Sequence, residues 1–336
     1  MAAEMTAMQT NGATRDAAIS APSGSALRAA DIADVVRQHL SSLASELRPD
    51  VLDALKCARR EESCEQAATV LDMLIENAEL AARTKVPLCQ DTGSVWVLVE
   101  MGSKARVELT GLQDALDEVV ESSFKEQYLR ASTVIDALSK RTNPGTNTPA
   151  FVDIIQHKSK HVESDCEVQV HTMLKGAGSD NSSRVAMLSP TDGEEGIVQL
   201  VLDTVINKGS IACPPMIIGI GIGGTFDKAA SLSKRALLRP FDQKASQAEG
   251  QTAGRAMGQA GDHATNQLVA TGATARLEQR ILDAVNATGI GPAGLGGDTT
   301  ALSVQIETAP SHIASLPVAI NLMCCALRSR SSILPT

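Results

Sequence analysis

The chain has 336 residues, 43% of them hydrophobic and 21% charged, the proportions of a folded globular protein rather than a disordered one. A formal charge of −9 argues against a duplex nucleic-acid partner. One Trp, one Tyr and four Phe are too few for the stacking platforms that hold single strands. Seven cysteines with no apolar leader over Met1–Ala26 argue against a secreted disulfide framework and imply reduced thiols in the cytoplasm.

Residues 1–26 are rich in Ala, Ser, Thr, Gly and Met without periodicity and read as a flexible tail, followed by one domain over residues 27–330. Ile32, Val35, Val36, Leu40, Leu43 and Leu47 form a helical stripe that Pro49 breaks. A short helix carries Val51, Leu52 and Leu55. Ser63 with Gln66 then makes a capping-box pattern opening a third helix through Ala78. Past Pro87, Val95–Val99 reads as a buried strand with Arg106–Leu109 as its partner, and helical spacing returns from Leu112 to about Leu138.

Strands follow at Phe151–Ile155 and Cys166–Leu174, the second alternating with period two. Asp192–Ile206 is a helix whose first turn carries Asp192, Glu194 and Glu195, where the helix dipole favours acids. Pro215–Ile222 is strand-like, and the longest apolar stretch, Met216–Ile222, is too short and too interrupted by glycine to span a bilayer. A helix from about Lys228 to Leu238, a polar segment Asp242–His263, a helix Asn266–Val285 and strands at Leu302–Ile306 and Leu316–Leu322 complete the chain. No internal repeat is visible. The class is mixed α and β (α+β), helical at the start, with the chemically interesting residues at strand ends.

Cys89 in PLCQDTG, Cys213 in ACPP and Cys324 in NLMCCALR sit in turn-forming sequence, whereas Cys57, Cys64 and Cys166 lie on regular patterns. A single cysteine is ordinarily a small buried hydrophobe. No CxxC pair marks structural zinc. Three thiolates fall one short of the four terminal ligands of an iron–sulfur cube and would leave one iron open to a substrate oxygen. GIGIGG (residues 219–224) matches GxGxxG and raises a competing dinucleotide reading, weakened because no acid-terminated strand follows; close helix–strand packing explains these glycines equally well. KGAGSDN and GIGPAGLGGDTT are further Gly-rich loops, either simple turns or cradles of backbone N–H groups for a small anion, with Arg130 and Arg141 as carboxylate partners.

Seven segments in order, PLCQDTG, LRASTVIDALSKRTNPGTNTPA, KGAGSDN, ACPPMIIGIGIGGTFDKA, LLRP, GIGPAGLGGDTTALSVQIE and HIASLPVAINLMC, resemble the α part of class I fumarate hydratase, a family that includes L-tartrate dehydratase. The resemblance runs from about Ile32 to Arg328. It implies a [4Fe-4S] cluster on Cys89, Cys213 and Cys324, with the family's C-x-A-x-R spacing favouring Cys324 over Cys325. It further implies substrate contacts from Gln90, Arg130 and Gly176, and Asp91 and His312 as a polar catalytic pair. The implied reaction is hydration of fumarate to L-malate, within the tricarboxylic acid cycle. NTPA, KGAGSDN and GIGGTFDKA favour fumarate over tartrate, whereas Pro144, Thr146, Ser311 and the GAGSDN form of the loop depart from the family pattern. Because the family also uses a β part, the resemblance implies a separate β subunit and an α2β2 assembly, with neither nucleic acid nor membrane as a partner.

Overall fold

The computed structural model describes residues 26–157, 164–241 and 272–336. Leu27–Arg28 (β1) leads into α1 (Ala29–Leu43), which buries Ile32, Val35, Val36, Leu40 and Leu43 as their spacing predicts. Pro49 opens α2 (Pro49–Glu61) from the first turn, where its missing N–H has no intrahelical partner to lose. In α3 (Glu65–Thr84) Cys64 is the N-cap, and the Ser63–Gln66 capping box does not form. Ser63 instead donates its N–H and its hydroxyl to Asp298, a distant partner that local pattern does not reveal.

β2 (Ser94–Met101) is followed by β3 (Val107–Glu108), which pairs with β1 and not with β2. Both edges of β2 are taken by β4 (Phe151–Gln156) and β5 (Glu167–Lys175). Between them, α4 (Leu112–Glu126) stops well short of Leu138. There Tyr128 turns left-handed at φ 55°, and the Asp136 carboxylate accepts the N–H groups of Leu138, Ser139 and Lys140, a turn that competes with helix. The remaining elements are α5 (Ala177–Asn181), β6 (Arg184–Leu188), α6 (Gly193–Lys208), β7 (Met216–Gly223), α7 (Phe226–Ala236), α8 (Gly272–Asn286), β8 (Ala301–Ala309), β9 (Leu316–Met323) and β10 (Arg328–Pro335). Asp242–His263, the start of the helix expected from Asn266, and the expected tail except Ala26 lie outside the described residues.

The class is α+β, built on two four-stranded sheets in the orders β10-β5-β2-β4 and β6-β9-β7-β8. Each has two antiparallel pairings followed by one parallel pairing. The chain therefore contains a topological repeat that the sequence does not display. In one half β2, β4 and β5 are laid down as β7, β8 and β9 are in the other. The fourth strand of each half then crosses to the opposite sheet, β6 onto β9 and β10 onto β5.

Val95, Val97 and Val99 on one face of β2 pack with Ile32, Val36 and Leu40 of α1 and Leu116 and Val120 of α4. The second sheet packs Ile218 and Ile220 against Val201 of α6 and Ile281 of α8. α7 covers the other face of β7, and at Gly219 and Gly221 a Cβ would lie 2.1 Å from the Ser233 carbonyl oxygen and 2.0 Å from that of Ala229. These glycines are a seam for close helix packing. They lie inside a strand rather than in a phosphate-binding turn, and the neighbouring strand β9 is antiparallel, so the dinucleotide reading fails. The opposite side of α7 reaches the first sheet, where Lys234 lies over the Trp96 ring at 5.2 Å and Arg235 pairs with Glu100 at 2.6 Å. Among the described residues no helix is long and apolar enough to cross a membrane.

Candidate active site

The repeat brings corresponding strand ends together. Cys89 precedes β2, Cys213 precedes β7, and Cys324 follows β9, whose antiparallel course returns it to the start of β7. There the N–H of Cys325 donates to the Cys213 carbonyl at 3.3 Å. Burial raises the Cys324 thiol, which also feels the opposing charge of Arg328 and the charge of Cys89. Desolvation, then the charges of Cys324, Cys89 and Asp91, raise that of Cys213. The charge of Cys89 thus bears on both Cys213 and Cys324, although the three come from separate segments. Cys213 is held at φ 56°, a left-handed conformation uncommon for a residue with a Cβ.

Cys325 differs from Cys324 in its packing: it is 8% exposed in a hydrophobic cluster with Leu55, Ala58 and Leu71, and burial, reinforced by the charges of Cys324, Cys213 and Cys89, pushes its thiol well above the usual value. Cys57 bonds Glu61 on α2, Cys64 caps α3, and Cys166 uses its carbonyl to hold Thr336. None of these three joins the thiol group.

Asp91 is fixed beside the thiols by three separate contacts. Its carboxylate accepts the N–H of Gly93 at 3.1 Å and that of Ala177 at 2.8 Å, and its carbonyl accepts Arg328 Nη2 at 2.9 Å. The Ala177 N–H belongs to the KGAGSDN loop, so a donor proposed for an anion serves an internal carboxylate. The longer Gly-rich loop behaves likewise: Glu62 accepts from Asp298 N–H and Thr299 N–H at 2.9 and 3.1 Å, pinning the loop to the junction of α2 and α3.

Two buried cations underlie the site. Arg328 is 1% exposed, and its Nε and Nη1 have no hydrogen-bond partner among the described residues. Lys175, equally enclosed, donates to the Leu322 carbonyl at 3.0 Å; burial lowers its ammonium to about 8, opposed by Asp180 and Cys324. Sequence reasoning assigned neither a role, although both lie within motifs it singled out: KGAG and C-x-A-x-R. Glu62 carried no signal, because its partners lie far along the chain.

Gln90 is exposed next to Cys89, whose thiol donates to its Oε1 at 3.3 Å. Arg130 is also exposed, and its carbonyl accepts the Thr92 hydroxyl at 2.5 Å, which brings its segment next to Asp91 and Gly93. Arg141 spends a guanidinium N–H on the carbonyl of Ala137 and closes a local turn. Gly176 lies directly over the Asp91 carboxylate.

His312 is not with them. It precedes β9 whereas Cys324 follows it, and eight strand residues place the two roughly 25 Å apart. It lines a separate surface depression of about 600 Å³ with Phe226 and Lys228. The expected pairing of Asp91 with His312 does not occur within one chain, because the strand between them separates their ends.

Among the described residues, no three His, Cys, Asp or Glu side chains converge closely enough to share one metal ion. Terminal ligands of an iron–sulfur cube each bind a different iron and need no such convergence. Thiols close enough for their charges to bear on one another, beside a buried guanidinium with unfilled donors, suit a negatively charged multi-iron group better than a single cation.

Comparison with known proteins agrees in scale. The profile described as Fumarate hydratase (Fumerase) matches residues 33–332. The chain is 39% identical over 301 residues to the "Putative L(+)-tartrate dehydratase subunit alpha" of Methanocaldococcus jannaschii, covering 88% of this chain and 95% of that protein. It is 28% identical over 298 residues to the L(+)-tartrate dehydratase subunit alpha of Escherichia coli K12, covering 88% of each. With the profile spanning nearly every described element, the chain belongs to the fumarate hydratase (fumerase) family.

Proposed function

We propose that this chain is the α subunit of an iron–sulfur hydro-lyase that interconverts fumarate and L-malate and needs a separate β subunit for turnover. The observation that carries the reading is the meeting of Cys89, Cys213 and Cys324 beside the buried, partly unpartnered guanidinium of Arg328. Those cysteines would hold a [4Fe-4S] cluster. When bound, such a cluster supplies an open iron that polarises a substrate hydroxyl as a Lewis acid.

The chain's own residues do the rest. Arg328 and Lys175 offset the negative charge gathered at the thiols. Asp91, clamped by two N–H groups and facing Gly176, presents a carboxylate of fixed orientation at the edge of the site. Arg130 suits a substrate carboxylate through its planar fork, and the Thr92 bond holds its backbone close to that carboxylate's place. Gln90 stands exposed where a dicarboxylate enters. His312 reaches no substrate seated at the thiols of its own chain, so its imidazole serves only where another chain's thiol end lies against it. The "subunit alpha" in the relatives' names supports a β partner, and an α2β2 assembly is the simplest form with both.

A second reading, dehydration of L(+)-tartrate, is favoured by the names of those same relatives. Anaerobic co-expression with the β partner, iron and sulfide analysis, and parallel assays with fumarate and L(+)-tartrate test both. Full fumarate hydration by the reconstituted α chain alone would overturn the two-subunit reading.

A further inference from the structure

The strand-exchanged repeat assigns an equivalent to each thiol. In the first sheet Ser94 of β2 pairs with Lys175, the last residue of β5; in the second Ile217 of β7 pairs with Met323, the last residue of β9. The next residues, Gly176 and Cys324, therefore occupy corresponding places. Cys89 and Cys213 correspond in turn, each lying just ahead of a central strand. Three of the four places at this end carry a thiol, and the fourth carries a glycine.

The backbone does not require that glycine. Gly176 has φ −72° and ψ 151°, an extended conformation open to any residue. What a side chain would meet there is Asp91: its Oδ2 lies 2.8 Å and its Cγ 3.2 Å from the place of a Cβ, and no atom outside Asp91 is among the nearest contacts. The Asp91 carboxylate stands where a side chain from position 176 would project, anchored by the N–H groups of Gly93 and Ala177. Its charge bears on the Cys213 thiol.

We propose that position 176 is the fourth ligand position of this site, vacated of its thiol and filled by the Asp91 carboxylate, so that the open corner of a bound cluster faces Gly176 and Asp91. The proposal rests on the iron–sulfur reading above. Asp91 excludes a fourth ligand, and Gly176 is the complement that makes room for it.

The test builds the missing ligand. Asp91→Ala clears the space, and Gly176→Cys in that background supplies the thiol. The full-length chain and variants, with the β partner, are loaded anaerobically with iron and sulfide, then treated with ferricyanide and a ferrous chelator. An open-cornered [4Fe-4S]²⁺ gives one electron to ferricyanide and releases one Fe²⁺, leaving [3Fe-4S]⁺ with its own electron-spin signal. The wild type and Asp91→Ala are expected to release that iron. The Asp91→Ala/Gly176→Cys variant is expected to keep it and show no three-iron signal.

A second measurement does not depend on the four-thiol form. Cys324→Ser should lose iron and sulfide, and adding Asp91→Ala/Gly176→Cys should restore them, moving one ligand across the repeat. A double variant that binds a cluster yet releases iron as Asp91→Ala does overturns the proposal. So does failure of position 176 to rescue Cys324→Ser, with Asp91→Ala/Gly176→Ala as the folding control. If the wild type takes up neither iron nor sulfide, the iron–sulfur reading itself fails and the assignment of position 176 falls with it.

Discussion

Arg328 donates through Nη2 to the main-chain carbonyl of Asp91 at 2.9 Å, joining the first strand residue after the third cysteine to the second residue after the first. Its other buried donors, Nε and Nη1, are unfilled among the described residues. A buried guanidinium with one partner is a cost to the bare fold and an asset once negative charge is seated beside it. Arg328→Met should therefore leave the melting temperature of the metal-free protein unchanged or raised, while iron retention after gel filtration falls severalfold. Loss of about 3 kcal/mol in the bare protein, with iron retained, would show that the arginine is purely structural.

The cysteines divide cleanly by position. Cys89→Ser, Cys213→Ser and Cys324→Ser should each abolish iron and sulfide binding, and Cys57→Ser and Cys166→Ser should leave it intact. Cys325 sits in the Leu55–Leu71 cluster, so Cys325→Ser should retain iron and lose about 1–3 kcal/mol of stability by burying a hydroxyl among apolar side chains. Iron analysis of the six purified chains checks the division, and the opposite result at Cys324 and Cys325 would move the third ligand by one residue.

Glu62 is 9% exposed and accepts N–H groups from Cys64, Asp298 and Thr299. Glu62→Ala strands those donors, and a loss of about 2–3 kcal/mol is expected in urea denaturation, with Glu62→Gln losing less because its carbonyl oxygen still accepts. A change under about 0.5 kcal/mol would mean that the loop anchors itself.

Gly221→Ala and Gly111→Ala separate two uses of glycine. At Gly221 a Cβ would sit 2.0 Å from the Ala229 carbonyl oxygen, so α7 must lift from β7, and loss of soluble protein or about 3 kcal/mol or more is expected. At Gly111 none of the described residues lies within 4 Å and only the φ of +74° is strained, for about 1 kcal/mol. Comparable melting temperatures for the two variants would contradict this.

His39 bridges Thr172 Oγ1 and Ser332 Oγ at 2.9 Å each, and burial, reinforced by the charges of Arg330 and His171, lowers its pKa to about 3. Burial likewise lowers His171 to about 4. Both pKa values are depressed in the folded state, so the unfolded chain binds more protons below pH 6.5. Stability is full above that value and falls as pH drops toward 4, by up to about 1.4 kcal/mol per pH unit for each histidine. Melting temperatures across pH 7 to 4.5 should decline, less steeply in His39→Gln; a flat wild-type profile would count against the assignment.

Much of this was legible along the chain. The Ile32–Leu43 stripe, the Val95–Val99 run and the apolar 216–222 segment each became the element their period indicated, because one buried face dictates the pattern. The strands that escaped notice include β6 and β10, the two that cross between sheets. Arg184 and Arg328 open them, and Arg330, Ser331 and Ser332 make β10 look like a polar tail. Their partners are distant, so no local period marks them. The same holds for the site: turn-forming sequence singled out the three cysteines, whereas the separation of His312 depends on the direction of β9.

The crossing of β6 and β10 also bears on how the chain becomes a folded object. His171 and Ser331 lie 160 residues apart in sequence yet meet across one ladder. Until β10 arrives, β5 has an open edge with unpaired N–H and C=O groups, a surface on which strands of other chains can add. Such long-range closure is slow. Assembly in a cell therefore passes through an interval in which the first sheet is sticky, and the same late ladder starts at Arg328, so the sheet is sealed and the guanidinium brought beneath the thiols in one event.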